Sequence, residues 1–202
     1  RVAIVIDGLG RDLAEIDSLF ALDVPLSYAV LPFEVETPSV VAALERQGAE
    51  ILCHLPMEPT NGEDPGPGAL RSAMGDLELR ARTESALDAV GGAVGVNNHM
   101  GSGLSADPRA MRRVLAVIAE RELFFLDSRT SARSVGYRLA GEMGIATAER
   151  QVFLDGDPTP RAIRAQFERL LGLAGQHGAA IAIGHPHPST LAQLAELIPM
   201  AK

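Results

Sequence analysis

Glu50–Thr60 reads EILCHLPMEPT, and the sense of the fold turns on it. Ile51-Leu52-Cys53 is a short apolar run of the kind buried in a parallel sheet. His54 follows where the run gives out, and Pro56 and Pro59 oppose a continuing ladder. A histidine delivered at a strand end, with Glu58 four residues further on, is an odd arrangement for stability alone. Working outward, the same pattern recurs: an apolar strand, then a polar residue where the strand stops.

Upstream, Val2–Ile6 is a strand that ends in a tight turn, Asp7-Gly8-Leu9-Gly10. Leu13, Ile16, Leu19 and Phe20 then give a helical stripe, and Leu26–Leu31 is a strand closed by Pro32. Thr37-Pro38 reads as an N-cap followed by proline in the first helical turn. Downstream, Asn61–Asp76 is rich in glycine and proline and is expected to form a loop on the rim of a site. A helix over Leu77–Val90 precedes a strand at Ala93–Val96, which leads into Asn97-Asn98-His99-Met100-Gly101-Ser102. Asp107-Pro108 caps the next helix, and Leu123–Leu126 is a strand ending in Asp127. Val135, Leu139 and Met143 mark a further helix, and Gln151–Leu154 is a strand ending in Asp155. Thr159-Pro160 caps a helix that stops near Gly178. The last strand, Ala179–Ile183, gives way to Gly184-His185-Pro186-His187, and Ser189 caps a final helix.

Seven strands alternating with helices predict a parallel sheet in one domain spanning 1–202. Periodicity alone allows an open doubly wound sheet or a closed barrel. Asp7-Gly8-Leu9-Gly10 lacks the third glycine of a dinucleotide fingerprint, and polar groups stand at nearly every strand end, so the barrel is favoured. A net charge of -8 argues against nucleic acid or an anionic membrane as partner. No stretch approaches the roughly 18 apolar residues of a membrane span. The single cysteine, Cys53, allows no internal disulfide and reads as a buried thiol. Arg1 leads straight into the strand VAIVI, so an upstream segment, an anchor or export signal, is expected.

Asp7, His54, His99, Asp127, Asp155 and His185 would all point to one barrel mouth. Two imidazoles and a carboxylate are a common ligand set for a catalytic zinc ion. Each residue also has a structural reading. Asp7 can bond its own turn, His54 can sit satisfied in the core, and His99 can belong to a loop network with Asn97 and Asn98. Glu58 can serve a backbone N–H, Asp127 can cap the following helix, and Asp155 reads best as turn and cap chemistry. His187 reads as rim or solvent, and His177 as a partner of a helix C-terminus.

The segments VIDGLG, CHLPMEP, GVNNHMGS, FLDSRT and IGHPHP, in order along almost the whole chain, resemble the divergent polysaccharide deacetylases, relatives of the NodB-type carbohydrate esterases. The resemblance implies an α/β fold, an irregular (β/α)7 barrel of the NodB/polysaccharide deacetylase type with a divalent metal, zinc or a similar ion, at its mouth. It implies removal of acetyl groups from an N-acetylated glycan and a periplasmic or cell-envelope location. The family pattern opens with two adjacent aspartates, a base and a metal ligand; here Asp7 keeps the first place and Gly8 fills the second. The family's histidine pair becomes His54 and Glu58, and His99 is placed to supply the missing imidazole. Either Asp7 joins His54 and His99 as a metal ligand, or it stays a base and the metal is held more weakly. His185 matches the family's general-acid histidine, and Asn97, Asn98, Ser102, Asp127 and Glu58 are candidates for positioning substrate.

Three functions follow. The first is a metal-dependent deacetylase with Asp7 and His185 as proton-transfer groups. The second is a non-catalytic descendant whose mouth binds a glycan or a protein, motivated by Gly8. The third is a glycoside hydrolase using Asp7 with Asp127.

Overall fold

The computed structural model describes residues 1–201. Eight parallel strands form one curled sheet in the order β6-β5-β4-β3-β2-β1-β8-β7. They are β1 (Val2–Leu9), β2 (Ser27–Val30), β3 (Glu50–Met57), β4 (Gly95–Met100), β5 (Phe124–Asp127), β6 (Thr147–Glu149), β7 (Val152–Phe153) and β8 (Ala180–Gly184). Helices α1 (Ala14–Phe20), α2 (Thr37–Arg46), α3 (Asp76–Ala89), α4 (Pro108–Glu120), α5 (Gly136–Glu142), α6 (Pro160–His177) and α7 (Pro188–Met200) connect them. This is the expected irregular barrel of the polysaccharide deacetylase type, and the strand count differs for a simple reason. The segment expected as one strand near Gln151 is two short ones. Thr147–Glu149 pairs with β5, and Val152–Phe153 pairs with β8. The handover takes one peptide: Arg150 N–H donates to the Asp127 carbonyl at 2.9 Å, and Gln151 N–H to the Ile181 carbonyl at 3.0 Å. The two sheet edges are therefore joined by the chain itself.

Three strands run further than expected. The first passes through Asp7 and Gly8 to Leu9, with an irregular register between Ile6 and Leu9 and Gly8 at φ 81°. This local bulge replaces the expected tight turn and re-aims Asp7. The third runs through Pro56, because the proline carbonyl still accepts from Leu70 N–H at 2.9 Å and no donor is demanded of its nitrogen. The fourth includes Asn97, Asn98 and His99, which pairs with Pro56. Polar residues made these extensions look like loops, yet they line the barrel interior.

Helix caps follow the chemistry at Asp107, which accepts from Arg109 and Ala110 N–H, and at Thr159, which accepts from Ala162 N–H. Gly178 closes α6 in the left-handed region at φ 82°. Thr37 lies inside α2 and donates its hydroxyl to the Leu31 carbonyl at 2.7 Å. The last helix begins at Pro188, one residue before the expected cap at Ser189.

Most of the core lies between helices and the outer faces of the strands. A small second cluster, Val5, Ala29, Leu52, Leu126 and Ile183, plugs the barrel from within. Side chains alternate along a strand with period two, so the inward residues one step above the plug are Asp7, His54, Ser128 and His185. A polar layer thus sits directly on an apolar floor.

Candidate active site

The polar layer floors a cavity of about 460 Å³ lined by Asp7, His54, His99, Arg150, Phe153 and His185 among others. Hollows of similar size at the other ends of the strands, one of them beside Phe20, Tyr28 and Gln47, bring no such cluster of acids and imidazoles together.

Register places the histidines. His54 pairs with Asn97, and His99, two residues later on the same face, rises beside it. The Asn97 side-chain oxygen accepts from His54 Nδ1 at 3.0 Å, so the proton sits there and Nε2 is the ring's acceptor atom. That atom lies 3.0 Å from His99 Nδ1 and 3.5 Å from Asp7 Oδ2. Burial, more than any neighbouring charge, pushes both imidazoles down to about 3, so both are neutral at physiological pH.

Asp7 is wedged between two imidazoles. Its Oδ2 faces His54, and its Oδ1 lies 3.3 Å from His185 Nε2 at an angle unsuited to a hydrogen bond. Oδ1 is thereby a buried oxygen with no hydrogen-bond partner. Burial raises the Asp7 carboxyl from 3.8 to about 6, against the pull of His185 and His99. The ion-pair contact with His185 is all that offsets the burial of Oδ1, and a ligand or ion that completed this oxygen would relieve the remaining cost.

His185 is oriented by Asp155, so this carboxylate serves the site rather than its turn alone. Asp155 Oδ1 lies 3.0 Å from His185 Nδ1, and Oδ2 accepts from His185 N–H at 2.6 Å and Thr190 Oγ1 at 2.8 Å. Burial works against a charged imidazole here, but the Asp155 hydrogen bond and the charges of Asp7 and Asp155 outweigh it, and the His185 pKa is raised.

Two groups of residues have the donors for a metal ion. Ligand atoms around a tetrahedral ion at about 2.1 Å stand roughly 3.4 Å apart, the scale of the Asp7–His54 and His54–His99 links. Among the described residues, the group whose ligand atoms all lie within 4.8 Å of one another is Asp155, His185 and His187, whereas Asp7, His54 and His99 come close only in pairs. Asp155 already accepts from three donors, and the His187 ring is stacked on His185 at 5.2 Å and 28° rather than converging on a common point.

The remaining expected residues take other places. Asn98 lines the cavity and also holds the β5 end, accepting from Ser128 N–H at 2.8 Å. Asp127 is fully buried on the outward step of its strand, under Arg129 N–H, Ser134 Oγ and Tyr137 N–H. It faces away from Asp7, so these two do not form a glycosidase pair. Glu58 accepts from Ser72 N–H at 2.7 Å, which lowers its pKa, and Ser102 Oγ accepts from Thr60 N–H at 2.9 Å. Neither lines the cavity; both pin the backbone around it. The loop Asn61–Asp76 bridges to the end of β3 through Met57 and Leu70, and none of its residues lines the cavity. His187 is exposed, and the Cys53 thiol is buried and pushed up to about 12.

Ser128, Arg150 and Phe153 were not among the expected site residues, and Asp155, expected at the mouth, was given no role toward His185. For Ser128 the signal was the two-residue step from Leu126, and for Asp155 its distance from any helix start. Arg150 carried no signal until the split of β6 from β7 was known.

The sequence signature described as divergent polysaccharide deacetylase matches residues 4–202. An uncharacterized protein of Haemophilus influenzae is 38% identical over 96% of the chain, which covers 69% of that relative, and one of Escherichia coli K12 is 35% identical over 98%, covering 62%. The chain thus spans about two thirds of these relatives' lengths. Among solved structures, an uncharacterized protein of Agrobacterium tumefaciens C58 superposes with a TM-score of 0.92 at 26% identity, covering 100% of this chain and 83% of that one. The catalytic domain of a peptidoglycan N-acetylglucosamine deacetylase from Eubacterium rectale has a TM-score of 0.54 at 10% identity, with 99% and 83% covered, a likeness of fold alone.

Proposed function

The chain belongs to the divergent polysaccharide deacetylases, and from that premise we propose that it removes acetyl groups from an N-acetylated glycan by metal-assisted hydrolysis. The observation that carries this reading is the Asp7 carboxylate between His54 and His185 with one oxygen unsatisfied.

His54, His99 and Asp7 Oδ2 would hold a divalent ion, zinc being well suited to two nitrogens and an oxygen. Such an ion supplies Lewis acidity to a carbonyl and lowers the pKa of water. The chain's own residues do the rest. Asn97 holds the ring proton of His54 on Nδ1, which leaves Nε2 as the acceptor atom facing His99 and Asp7. Asp7 Oδ1, the carboxylate oxygen with no hydrogen-bond donor, accepts a proton from the attacking water. His185, whose hold on a proton Asp155 strengthens, donates one from Nε2 to the departing amine nitrogen. Phe153 and Ile183 give the cavity an apolar wall suited to a methyl group. A periplasmic or envelope location goes with such a substrate.

The test is acetate release from chitin oligomers by the purified protein, before and after chelation, with metal analysis alongside. Chelator-sensitive release supports the proposal. A protein that binds the oligomers without metal or turnover would be the glycan-binding descendant, a reading favoured by Gly8, whose bulge carries no second carboxylate.

A further inference from the structure

Arg150 stands at the splice between the sheet edges, on the wall of the same cavity. Its guanidinium lies 4.7 Å above the centre of the Phe153 ring. Nε donates to the Ser128 carbonyl at 2.6 Å and Nη2 to the Arg129 carbonyl at 3.1 Å. Arg129 itself adopts φ 51°, a strained conformation for a residue with a side chain, and its carbonyl is one of the two that grip the fork.

The side-on edge of the guanidinium is thus spent on the backbone. A guanidinium has five N–H donors, and two are used, so the end-on edge formed by Nη1 and Nη2 keeps donors with no acceptor among the described residues. Nor does Arg150 form a salt bridge there, in contrast to Arg129, whose Nε lies 3.3 Å from a Glu149 oxygen. Burial works against its charge, with only the more distant Asp7 and Asp127 in its favour. A half-buried cation held by two backbone carbonyls, with a bidentate edge unoccupied, is built to receive a planar anion.

We propose that Arg150 recognises a carboxylate on the substrate, so that the preferred glycan is acidic: an N-acetylated sugar bearing a carboxylate substituent. This rests on the deacetylase reading only for the acetyl group; the anion subsite stands on the Arg150 geometry.

The test compares short oligosaccharides that carry N-acetylmuramic acid with the same sugars in which the lactyl carboxyl is converted to the neutral amide. Acetate release and calorimetric binding are both read on the metal-loaded protein. Wild type should favour the acid over the amide by about tenfold or more, the size of one well-placed charged contact. Arg150→Gln should collapse that ratio to about twofold, and Arg150→Lys, which keeps the charge and loses the fork, should fall between. Equal handling of acid and amide by wild type overturns the proposal, and that comparison needs no variant to fold. A ratio unchanged in Arg150→Gln overturns it as well. Acid-selective, Arg150-dependent binding without acetate release would sink the hydrolase reading and leave the anion subsite standing; release indifferent to the carboxylate would do the reverse.

Discussion

Acidification should unfold the metal-free protein along a slope set by its buried imidazoles. Burial brings His54 and His99 from 6.5 down to about 3 in the folded chain. Unfolding returns each to its ordinary value, so between pH 6.5 and 3 the unfolded chain binds up to two more protons. Each then costs about 1.4 kcal/mol of stability per pH unit as pH falls. Asp7 works in the opposite sense. Its folded carboxyl is raised from 3.8 to about 6, so between those values the folded chain holds the extra proton, and falling pH favours it. Two imidazoles against one carboxyl leave a net loss of about 1.4 kcal/mol per unit near pH 5, or about 2–3 kcal/mol between pH 6.5 and 4.5. Partial exposure of His99 trims its share. The loss is large beside a total stability of roughly 5–15 kcal/mol. Urea denaturation in EDTA, followed by circular dichroism at half-unit pH steps, measures it directly. Asp7→Asn should steepen the slope toward about 2.7 kcal/mol per unit, since the opposing group is gone. Stability that is flat or rising toward pH 4.5, or a slope that Asp7→Asn leaves alone, would refute the placement of these three groups.

The same substitution, Asp7→Asn, should raise the stability of the metal-free protein at pH 7 by about 2–3 kcal/mol while abolishing acetate release, as calorimetry and an acetate assay would show. Asp155→Asn should lower the His185 pKa in an NMR titration, and shift the alkaline limb of the pH–rate profile to lower pH with a loss of roughly 10–100-fold in kcat/KM. Gly136→Ala would set a Cβ 2.8 Å from the Phe125 ring and 3.1 Å from Asp127 Oδ2; a drop of about 2 kcal/mol in urea unfolding is expected.

The barrel was readable because its strands are apolar, short and separated by capped helices, as at Asp107 and Thr159. What misled was the barrel's own interior. Asp7, His54 and Asn97–His99 are polar residues in mid-ladder, and polarity was read as the end of a strand. Direction was the second loss: Asp127 and Ser128 are adjacent, yet the strand's alternation turns the carboxylate outward beneath α5 and the hydroxyl inward toward Asn97, 3.2 Å away. Asp155 and His185 are 30 residues apart and meet because β7 pairs with β8, a contact that local pattern cannot reveal. Thr147–Glu149 is too short, and too evenly half-buried, to carry a periodic signal.

The handover at Arg150 and Gln151 has one more consequence. A ring closed by hydrogen bonds can change circumference only by gaining or losing a whole strand, with every ladder re-registered. Here the circle is completed by two residues of ordinary chain, so adding or deleting one of them would resize the opening and leave seven strand pairings intact. Relatives that share every ladder and differ only at this gap would then differ in the width of the mouth.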